Sequence, residues 1–468
     1  MSAAAQGVID AAQWLFLLYF AGLNLVYVAL NLSAIRSIGR DSPERAIAAL
    51  PDYTAGLEPP ISIVVPAYNE EQTIVASVRS MLQLDYPVFE IVVVNDGSKD
   101  GTLSVLQREF EMRLFPEAYR VALPVKTVNA VYRSTRHPNL RVVDKANGGR
   151  SDAMNAGINA ARHPLFCAVD ADSILQRDSL RRLVRPFMQD RRVVACGGTV
   201  RIANGCRVSQ GFLESVGMPS SWLARIQIME YLRAFLYGRL GWSPINALLI
   251  ISGAFGLFRR QTVIDCGGYS TATIGEDMDL TMRLHLHEVA AGRDYRIVFV
   301  ADPVCWTEAP ETLAVLRSQR VRWQRGLLEC LWTHRRLAFK RGCGAAGWLA
   351  YPVFVVFEAL APVIEVLGYL FMIGGFALGW VSPAAFAAFA LLAVGLGLML
   401  SASALLMEEM TFRLYPRTAH LLALAAAGVV ENIGYRQLHT WWRLVGSWKW
   451  LLKRPQVWGD MTRKAPSR

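Results

Sequence analysis

Residues 61–66, Ile61-Ser62-Ile63-Val64-Val65-Pro66, decide the fold, because this apolar run has the length and boundaries of a buried strand. Similar runs follow at residues 89–94, 140–143 and 165–169, and helical patterns separate them. Strands that alternate with helices are typical of a parallel sheet covered on both faces. The sequence therefore predicts an α/β domain with a Rossmann-like, mostly parallel sheet.

Acidic side chains follow two of these predicted strands. Asp96 closes the second strand, and Asp170 and Asp172 follow the fourth. Ligands of such sheets bind beyond the carboxyl ends of the strands. Two carboxylates at this spacing can present hard oxygen ligands to Mg²⁺ or Mn²⁺ bridging a diphosphate. A solvated turn would show the same spacing, so the motif needs companions.

Two loops at the same edge have the composition of nucleotide-binding loops. The carboxylate of Asp96 could accept a hydrogen bond from a uracil N–H, although an Asx-type turn explains Asn95-Asp96-Gly97-Ser98 equally well. Lys145-Ala146-Asn147-Gly148-Gly149-Arg150 precedes a predicted helix. Glycines at a helix start, with cations beside them, form an anion site, although a plain capped loop has the same composition.

Paired acids and a basic, aromatic motif follow in the second half of the chain. Ile274-Gly275-Glu276-Asp277-Met278-Asp279-Leu280 places carboxylates at a helix start, where the helix dipole alone would also favour them. In Gln319-Arg320-Val321-Arg322-Trp323, Arg322 offers a fork for phosphate and Trp323 a flat face for a sugar ring. An interfacial membrane anchor is the other interpretation. A carboxylate base combined with these groups is a set of parts for glycosyl transfer.

The composition indicates a membrane protein. Of the 468 residues, 53% are hydrophobic and 19% are charged, which lies outside the soluble average. Residues 14–35 carry no charge, and about 20 such residues span a bilayer. We expect a transmembrane helix within residues 1–35, a linker at 36–60 and the α/β domain at 61–335. Arginines after the first span predict that this domain faces the cytoplasm of a cell whose inner or plasma membrane holds the protein.

Apolar segments return after the α/β domain. Residues 336–441 are predicted to form interfacial and transmembrane helices, and 442–468 a basic, Trp-rich tail that is cytosolic or interfacial. Three crossings would put this tail outside, against the positive-inside tendency, so one segment is interfacial or a fourth crossing is hidden. Glu358 and Glu365 are expected to line a polar path, and a shallow, interfacial start of the segment is the other explanation of Glu358. The net charge is +11, and the basic residues crowd beside the apolar segments. No nucleic-acid-binding motif accompanies them, so we expect contacts with membrane lipid and not with nucleic acid.

Seven motifs in unbroken order make residues 61–335 resemble a membrane-integrated family 2 glycosyltransferase of the GT-A fold, related to hyaluronan, chitin-oligosaccharide, poly-N-acetylglucosamine and cellulose synthases. The first segments are Pro66-Ala67-Tyr68-Asn69-Glu70, Asn95-Asp96-Gly97-Ser98 and Lys145 through Asn155. The remaining ones are Asp170-Ala171-Asp172, Ile251-Ser252-Gly253, Gly275-Glu276-Asp277 and Gln319 through Trp323. Two positions depart from the family pattern. Asn95 replaces an aspartate, and Gly275 replaces the threonine of cellulose synthases.

The resemblance implies a role for each candidate residue. Donor-binding residues would be Asp96 and Asp170 at the uridine, with Lys145 and Arg322 at the diphosphate. Asp172 would bind the Mg²⁺ or Mn²⁺. The catalytic pair would be Asp277, as general base, and Glu276 beside it, and the acceptor would meet Trp323 and Gln319.

The expected function is an inverting, processive β-glycosyltransferase. It would transfer a sugar from UDP-N-acetylglucosamine or UDP-glucose to a growing polysaccharide and help pass the chain across the membrane. Transfer of one sugar to a membrane lipid, giving a glycolipid as ceramide glucosyltransferases do, is the alternative. A non-catalytic scaffold of a secretion complex is the third interpretation, and the complete acidic set argues against it. The sequence does not identify an export partner subunit.

Overall fold

The computed structural model of the protein describes residues 3–48, 56–209, 211–415 and 417–453. It begins with one helix of 46 residues, α1 (Ala3–Ala48). We expected the helix to end at residue 35 and a linker to begin at 36, and this is wrong for residues 36–48, which continue the helix. The rest of the predicted linker up to residue 55 lies outside the described residues, as do residues 454–468 of the tail.

The α/β domain follows as twelve strands and nine helices among the described residues. Its strands are β1 (Ile61–Ala67), β2 (Phe89–Asp96), β3 (Met112–Leu114), β4 (Val128–Ser134), β5 (Leu140–Lys145), β6 (Leu165–Val169), β7 (Ile174–Leu175), β8 (Val193–Ile202), β9 (Arg207–Ser209), β10 (Phe212–Ser215), β11 (Phe255–Arg259) and β12 (Arg296–Thr307). Its helices are α2 (Ile74–Leu82), α3 (Thr102–Glu109), α4 (Arg150–Ala160), α5 (Ser179–Gln189), α6 (Trp222–Leu232), α7 (Leu240–Trp242), α8 (Arg260–Asp265), α9 (Glu276–Ala290) and α10 (Leu313–Thr333). A π-helical turn, Arg233–Arg239, joins α6 to α7, and 3₁₀ turns follow at Ser243–Ile245 and Arg335–Leu337.

One sheet of ten strands forms the centre of the domain, in the order β3-β4-β5-β2-β1-β6-β11-β8-β12-β7. The four strands predicted from apolar runs, β1, β2, β5 and β6, are adjacent and parallel, and this prediction is confirmed. The pairings make β4, β7 and β11 the strands that run against the other seven. The sheet is therefore mostly parallel, as expected, and the parallel strands end at one edge.

The antiparallel strand β11 brings a distant loop to this edge. Because β11 pairs antiparallel with β6, Phe255 lies opposite Val169 at the carboxyl end of β6. The loop before β11 contains Ser252 and Gly253, so it lies beside Asp170. Strand direction thus places two motifs 80 residues apart at one site.

The remaining helices pack beside the α/β domain. They are α11 (Tyr351–Phe354), α12 (Ala361–Ala377), α13 (Pro383–Ala390), α14 (Leu396–Thr411), α15 (Thr418–Val430) and α16 (Arg436–Leu451), with π-helical turns at Ala346–Ala350, Val355–Ala359, Leu391–Gly395 and Glu431–Tyr435. The backbone leaves helical geometry at Ile433 and Gly434. The apolar helix α15 is therefore short, and a kink separates it from α16.

Two helices among the described residues are long and apolar enough to cross a membrane. They are Gln6–Gly39 and Pro383–Thr411. The pair Ala346–Ala359 and Ala361–Ala377 passes the same test only as one unit, and it is bent by 48° at its break. The break lies next to Pro362, one of the two prolines that interrupt this segment, because a proline cannot continue the hydrogen bonding of the preceding turn.

Candidate active site

The carboxylate of Asp96 faces the glycine-rich loop between β5 and α4. Its Oδ1 accepts hydrogen bonds from Lys145 Nζ at 2.5 Å and from the Gly148 N–H at 3.0 Å. Its Oδ2 accepts from the Gly149 N–H at 2.7 Å. Asp96 is only 3% exposed. The side chain predicted to meet uridine therefore also fixes the loop that would surround a diphosphate.

Lys145 is sealed inside the protein. Its side chain is 0% exposed, and Nζ lies 2.5 Å from an oxygen of Asp96 and 2.5 Å from one of Asp152. Lys145, Asp96 and Asp152 form what we call the Lys145 cluster. The contact of Lys145 with a diphosphate stays a prediction. In the structure the ammonium is surrounded by the two carboxylates and by the Ala146 carbonyl.

Arg150, five residues later, joins three motifs at the edge of the sheet. Its guanidinium donates to Asp170 Oδ1 at 2.6 Å, to Glu276 Oε1 at 2.5 Å and to the Gly253 carbonyl at 2.8 Å. Arg150, Asp170 and Glu276 form the Arg150 cluster. A Cβ on Gly253 would lie 2.8 Å from the guanidinium, so a larger residue at this position would require Arg150 to shift. Burial alone would lower the pKa of Arg150, but the two carboxylates raise it well above its usual value.

Glu276 and Asp277 begin α9 and differ in their partners. Glu276 belongs to the Arg150 cluster, and burial raises its pKa even though Arg150 opposes the shift. Asp277 accepts a hydrogen bond from the Gly253 N–H at 3.3 Å and from the Met278 N–H at 2.8 Å. Gly253 thus contacts both Arg150 and Asp277, which places the predicted base beside the cluster.

The structure brings the acidic motifs together. Asp96 binds the loop that ends at Arg150, Arg150 binds Asp170 and Glu276, and Asp277 shares the Gly253 loop. Asp172 lies two residues after Asp170 in the same turn and is partly exposed. Asn95, which replaces the aspartate of the family pattern, donates to Asp144 across the ends of β2 and β5 at 2.6 Å.

The predicted metal site is small. No group of three or more His, Cys, Asp or Glu side chains in the described part of the chain could hold a metal ion. Mg²⁺ that bridges phosphates commonly takes only one or two protein carboxylates and completes its shell with phosphate oxygens and water. Asp170 and Asp172 match that donor set, with one oxygen of Asp170 also bound to Arg150.

The Gln319–Trp323 motif lies within α10. Gln319 Oε1 is buried and accepts no hydrogen bond from the described residues. Arg320 is 7% exposed and donates to Glu230 of α6 at 2.5 Å, and its guanidinium lies 4.5 Å from the centre of the Trp323 ring. Trp323 is 43% exposed, so the ring keeps an open area. Arg322 is partly exposed.

Charged side chains continue from α6 and α10 into the apolar helices, in what we call the helix-interior network. Arg233, which follows α6, donates to Glu431 at 2.6 Å and to Ser401 at 2.7 Å, so the turn after α6 is bound to α14 and to the turn after α15. Buried charges in an apolar region are costly unless paired. The further pairs are Arg436 with Glu365, Thr440 with Glu365, Arg443 with Glu358, and Tyr27 with Glu358.

The profile described as "Glycosyltransferase like family 2" matches residues 59–326, more than half of the chain. The chain belongs to this glycosyltransferase family. The resemblance inferred from the seven motifs is therefore confirmed at the level of the family.

Curated relatives of this family 2 glycosyltransferase are polysaccharide synthases. Poly-beta-1,6-N-acetyl-D-glucosamine synthase of Staphylococcus epidermidis is 29% identical over 272 residues, 58% of this chain and 55% of that protein. The corresponding synthase of Staphylococcus aureus is 31% identical over 274 residues, 58% of this chain and 55% of that protein. The matched region thus spans about half the length of these relatives.

The fold of the family 2 glycosyltransferase is found in solved structures. A mannosyltransferase from Pyrobaculum calidifontis, solved with GDP-Man and Mn²⁺, covers 88% of this chain and 99% of its own with a TM-score of 0.51 and 18% identity. At this identity the comparison supports the fold only. The predicted GT-A fold is confirmed.

Sequence reasoning did not single out Arg150. The signal was present, since Arg150 follows Gly148-Gly149 at the start of α4 and was counted among the flanking cations. Lys145 and Arg150 have the same charge and frame the same loop, so their order along the chain does not show which one is sealed. The difference appears only in the folded protein, where Gly253 and Glu276, from later in the chain, contact Arg150.

Proposed function

We propose that the protein is an inverting, processive β-glycosyltransferase that extends a polysaccharide from a UDP-sugar. The observation that carries this proposal is the position of Asp277 between two features. On one side, Asp277 shares the Gly253 loop with the Arg150 cluster at the sheet edge. On the other, Gly275, two residues before Asp277, accepts a hydrogen bond from Cys330 of α10, and Gln324 of the same helix accepts one from Arg443 of the helix-interior network. A base at this position would lie between the proposed donor site at the Arg150 cluster and the helix-interior network, which offers a polar route for a growing chain.

The proposed donor is UDP-N-acetylglucosamine, with UDP-glucose as the other candidate. The names of the curated relatives support the first choice. Asp96 and Asp170 are proposed to bind the uridine and Arg322 the diphosphate, while the Lys145 cluster shapes the loop. A screen of UDP-sugars by release of UDP tests this, and a preference for any other sugar contradicts the named donor.

The proposed chemistry is a direct displacement. Asp277 takes the proton of the acceptor hydroxyl, and the resulting oxygen attacks the anomeric carbon from the face opposite UDP. The bond from that carbon to the diphosphate oxygen breaks, and UDP leaves with the electron pair. Glu276, whose carboxylate is bound by Arg150, is proposed to hold the start of α9 in position rather than to take the proton.

Mg²⁺ or Mn²⁺ is the proposed cofactor. Asp172, together with Asp170, would hold it. When bound, such an ion neutralises charge on the leaving diphosphate. Activity that is lost with a chelator and returns with Mg²⁺ or Mn²⁺ is the expected result, and chelator-resistant activity would contradict this part of the proposal.

The protein is proposed to be a multi-pass protein of the cell membrane with its α/β domain in the cytoplasm. Helices Gln6–Gly39 and Pro383–Thr411 supply two crossings, and the bent pair supplies a third segment. The helix-interior network supports passage of a polar chain, because it offers charged and hydroxyl groups inside otherwise apolar helices. Membrane lipid surrounds these helices, and an export partner subunit is not identified.

Product length separates this proposal from its alternative. Purified membranes are supplied with radiolabelled UDP-N-acetylglucosamine, and the products are separated by size and by extraction into organic solvent. We expect long, water-soluble chains. A lipid carrying a single sugar would instead establish the enzyme as a lipid glycosyltransferase, and incorporation that Asp277→Asn leaves unchanged would favour a scaffold.

A further inference from the structure

Three residues of the segment after Ser221 line up along one face. Tyr231, Phe235 and Arg239 follow one another at intervals of four residues. The rings of Tyr231 and Phe235 are 5.7 Å apart, and Arg239 Cζ lies 3.9 Å from the centre of the Phe235 ring. Stacking on a buried ring fixes the orientation of a guanidinium, so Arg239 presents its donors in a defined direction.

Arg239 keeps an unused hydrogen-bond donor. Its Nη1 is buried and has no hydrogen-bond partner among the described residues. Burial lowers the pKa of Arg239 to about 10, so the side chain is still charged at neutral pH. The residue is nevertheless partly exposed. A buried donor without a partner carries a desolvation cost, which a hydrogen bond to a ligand oxygen would remove.

The row of Tyr231, Phe235 and Arg239 lies near the candidate active site. Arg239 interacts electrostatically with Asp277, and Tyr231, at the other end of the row, interacts with Asp172. The row therefore runs beside the predicted base and the predicted metal ligand. Neighbouring arginines already have carboxylate partners: Arg150 has Asp170 and Glu276, Arg233 has Glu431, and Arg320 has Glu230.

We propose that Arg239 is an acceptor-binding residue whose Nη1 donates to an oxygen of the terminal acceptor sugar. This inference rests on the proposed glycosyl transfer and adds the residue that orients the acceptor. In an inverting displacement, the base and the leaving diphosphate lie on opposite faces of the anomeric carbon. Arg239, a cation beside Asp277, is thus on the acceptor side. It donates a hydrogen bond to a neutral oxygen of the acceptor sugar, and the proton of the attacking hydroxyl stays available for transfer to Asp277.

The test measures KM for the acceptor and affinity for the donor-site probe separately, with the full-length protein in detergent and Mg²⁺. Arg239→Gln and Arg239→Lys are compared with wild type, using β-1,6-linked N-acetylglucosamine tetrasaccharide as acceptor and UDP as the donor-site probe. We expect Arg239→Gln to raise KM for the tetrasaccharide about 10- to 100-fold, the loss typical of one hydrogen bond from a charged group. UDP affinity by calorimetry, and release of UDP to water without acceptor, should stay within about twofold of wild type, since one lost acceptor bond leaves the donor contacts intact.

Arg225→Gln is the matched control, because Arg225 lies on α6, directly before the π-helical turn that holds Arg239, stacks on Trp222 and donates to the Pro219 carbonyl. It should leave both KM and UDP affinity unchanged. Arg239→Lys keeps the charge and should recover part of the acceptor affinity, which a folding defect would not allow. A parallel fall in UDP affinity would overturn the proposal by assigning Arg239 to the diphosphate. An unchanged KM with a shifted pH profile would overturn it by making Arg239 a partner of Asp277 only.

The outcome also distinguishes this inference from the proposed function. If wild-type protein binds UDP but transfers no sugar from any donor, the proposed function fails, and the acceptor role fails with it. If wild type transfers sugar and Arg239→Gln behaves as wild type, only the role of Arg239 is lost.

Discussion

The Lys145 cluster and the Arg150 cluster lie five residues apart along one loop, and both join a cation to two carboxylates, yet they differ in access. The Lys145, Asp96 and Asp152 side chains are 0%, 4% and 8% exposed, while those of Arg150, Asp170 and Glu276 are 18%, 34% and 13% exposed. Lys145 is a sealed brace of the loop, whereas the Arg150 cluster borders the space where substrates would bind. The charge and spacing of the two cations are alike, so burial separates a structural cation from a working one.

The largest effect is expected on the transfer rate, from a substitution of Asp277 beside the accessible Arg150 cluster. Asp277→Asn keeps the shape of the side chain but removes the base, and we expect the transfer rate to fall by about 10²–10⁴ with an unchanged melting temperature. Initial rates of UDP release measure this. Asp294→Asn, at a side chain that is 75% exposed, is the control. An active Asp277→Asn variant would mean that the accessible side does not hold the base.

A substitution of the sealed residue Lys145 should instead lower the free energy of unfolding. Lys145→Met leaves two buried carboxylates without their cation, and breaking such a buried pair costs about 3–5 kcal/mol. Chemical denaturation in detergent measures the loss. Arg79→Met, which breaks an exposed pair with Glu109, should cost less than about 1 kcal/mol. Equal losses in the two variants would show that the Lys145 cluster is not sealed.

A second sealed group tests the same idea by pH. His285, on the helix that begins with Glu276, is 0% exposed, contacts Tyr295 and the Leu248 carbonyl, and burial lowers its pKa to about 4. The unfolded chain takes up this proton near pH 6.5, so stability should fall as the pH drops from 6.5 to 4, by roughly 3 kcal/mol.

The comparison is between melting curves of wild type and His285→Gln across this pH range. His285→Gln should flatten the slope, and His287→Gln on the same helix should not. A slope that survives in His285→Gln would assign the acid sensitivity to another group.

The smallest effect is expected at Arg150. Arg150→Gln leaves Asp170 and Glu276 to repel the donor diphosphate, and UDP affinity should fall about 10- to 100-fold. Adding Glu276→Gln removes one of the two charges and should restore part of the affinity. Calorimetry with UDP measures both. If Arg150→Gln destabilised the protein as much as Lys145→Met does, the distinction between the two clusters would disappear.

Local sequence patterns were enough for the centre of the fold. Strands β1, β2, β5 and β6 were recognisable because they are buried on both faces and therefore continuously apolar. The antiparallel direction of β11 was not, since it depends on pairing with β6 and β8. The helix at 36–48 was missed because Pro43 normally argues against a continuing helix, and here it lies inside one.

The candidate site was predictable in its acids and less so in its cations. Asp96, Asp170, Asp172 and Asp277 follow strand ends or begin a helix, and such positions converge in any sheet of this kind. A basic side chain has a longer reach, and its destination depends on loops that meet only in the folded chain. Lys145 was therefore expected at a diphosphate, and Arg239 was not singled out at all.

The length of α1 has a mechanical consequence. At about 1.5 Å per residue, its 46 residues form a rod of roughly 70 Å, more than twice the roughly 30 Å of a hydrocarbon core. Leu30 and Ser33 of this rod touch Gly241, two residues after Arg239, with Ser33 Oγ donating to the Gly241 carbonyl. In the proposed membrane arrangement, a change in bilayer thickness alters the tilt of the rod. The tilting helix would then push against the segment beside Arg239, so the length of the lipid tails would affect the activity of the enzyme.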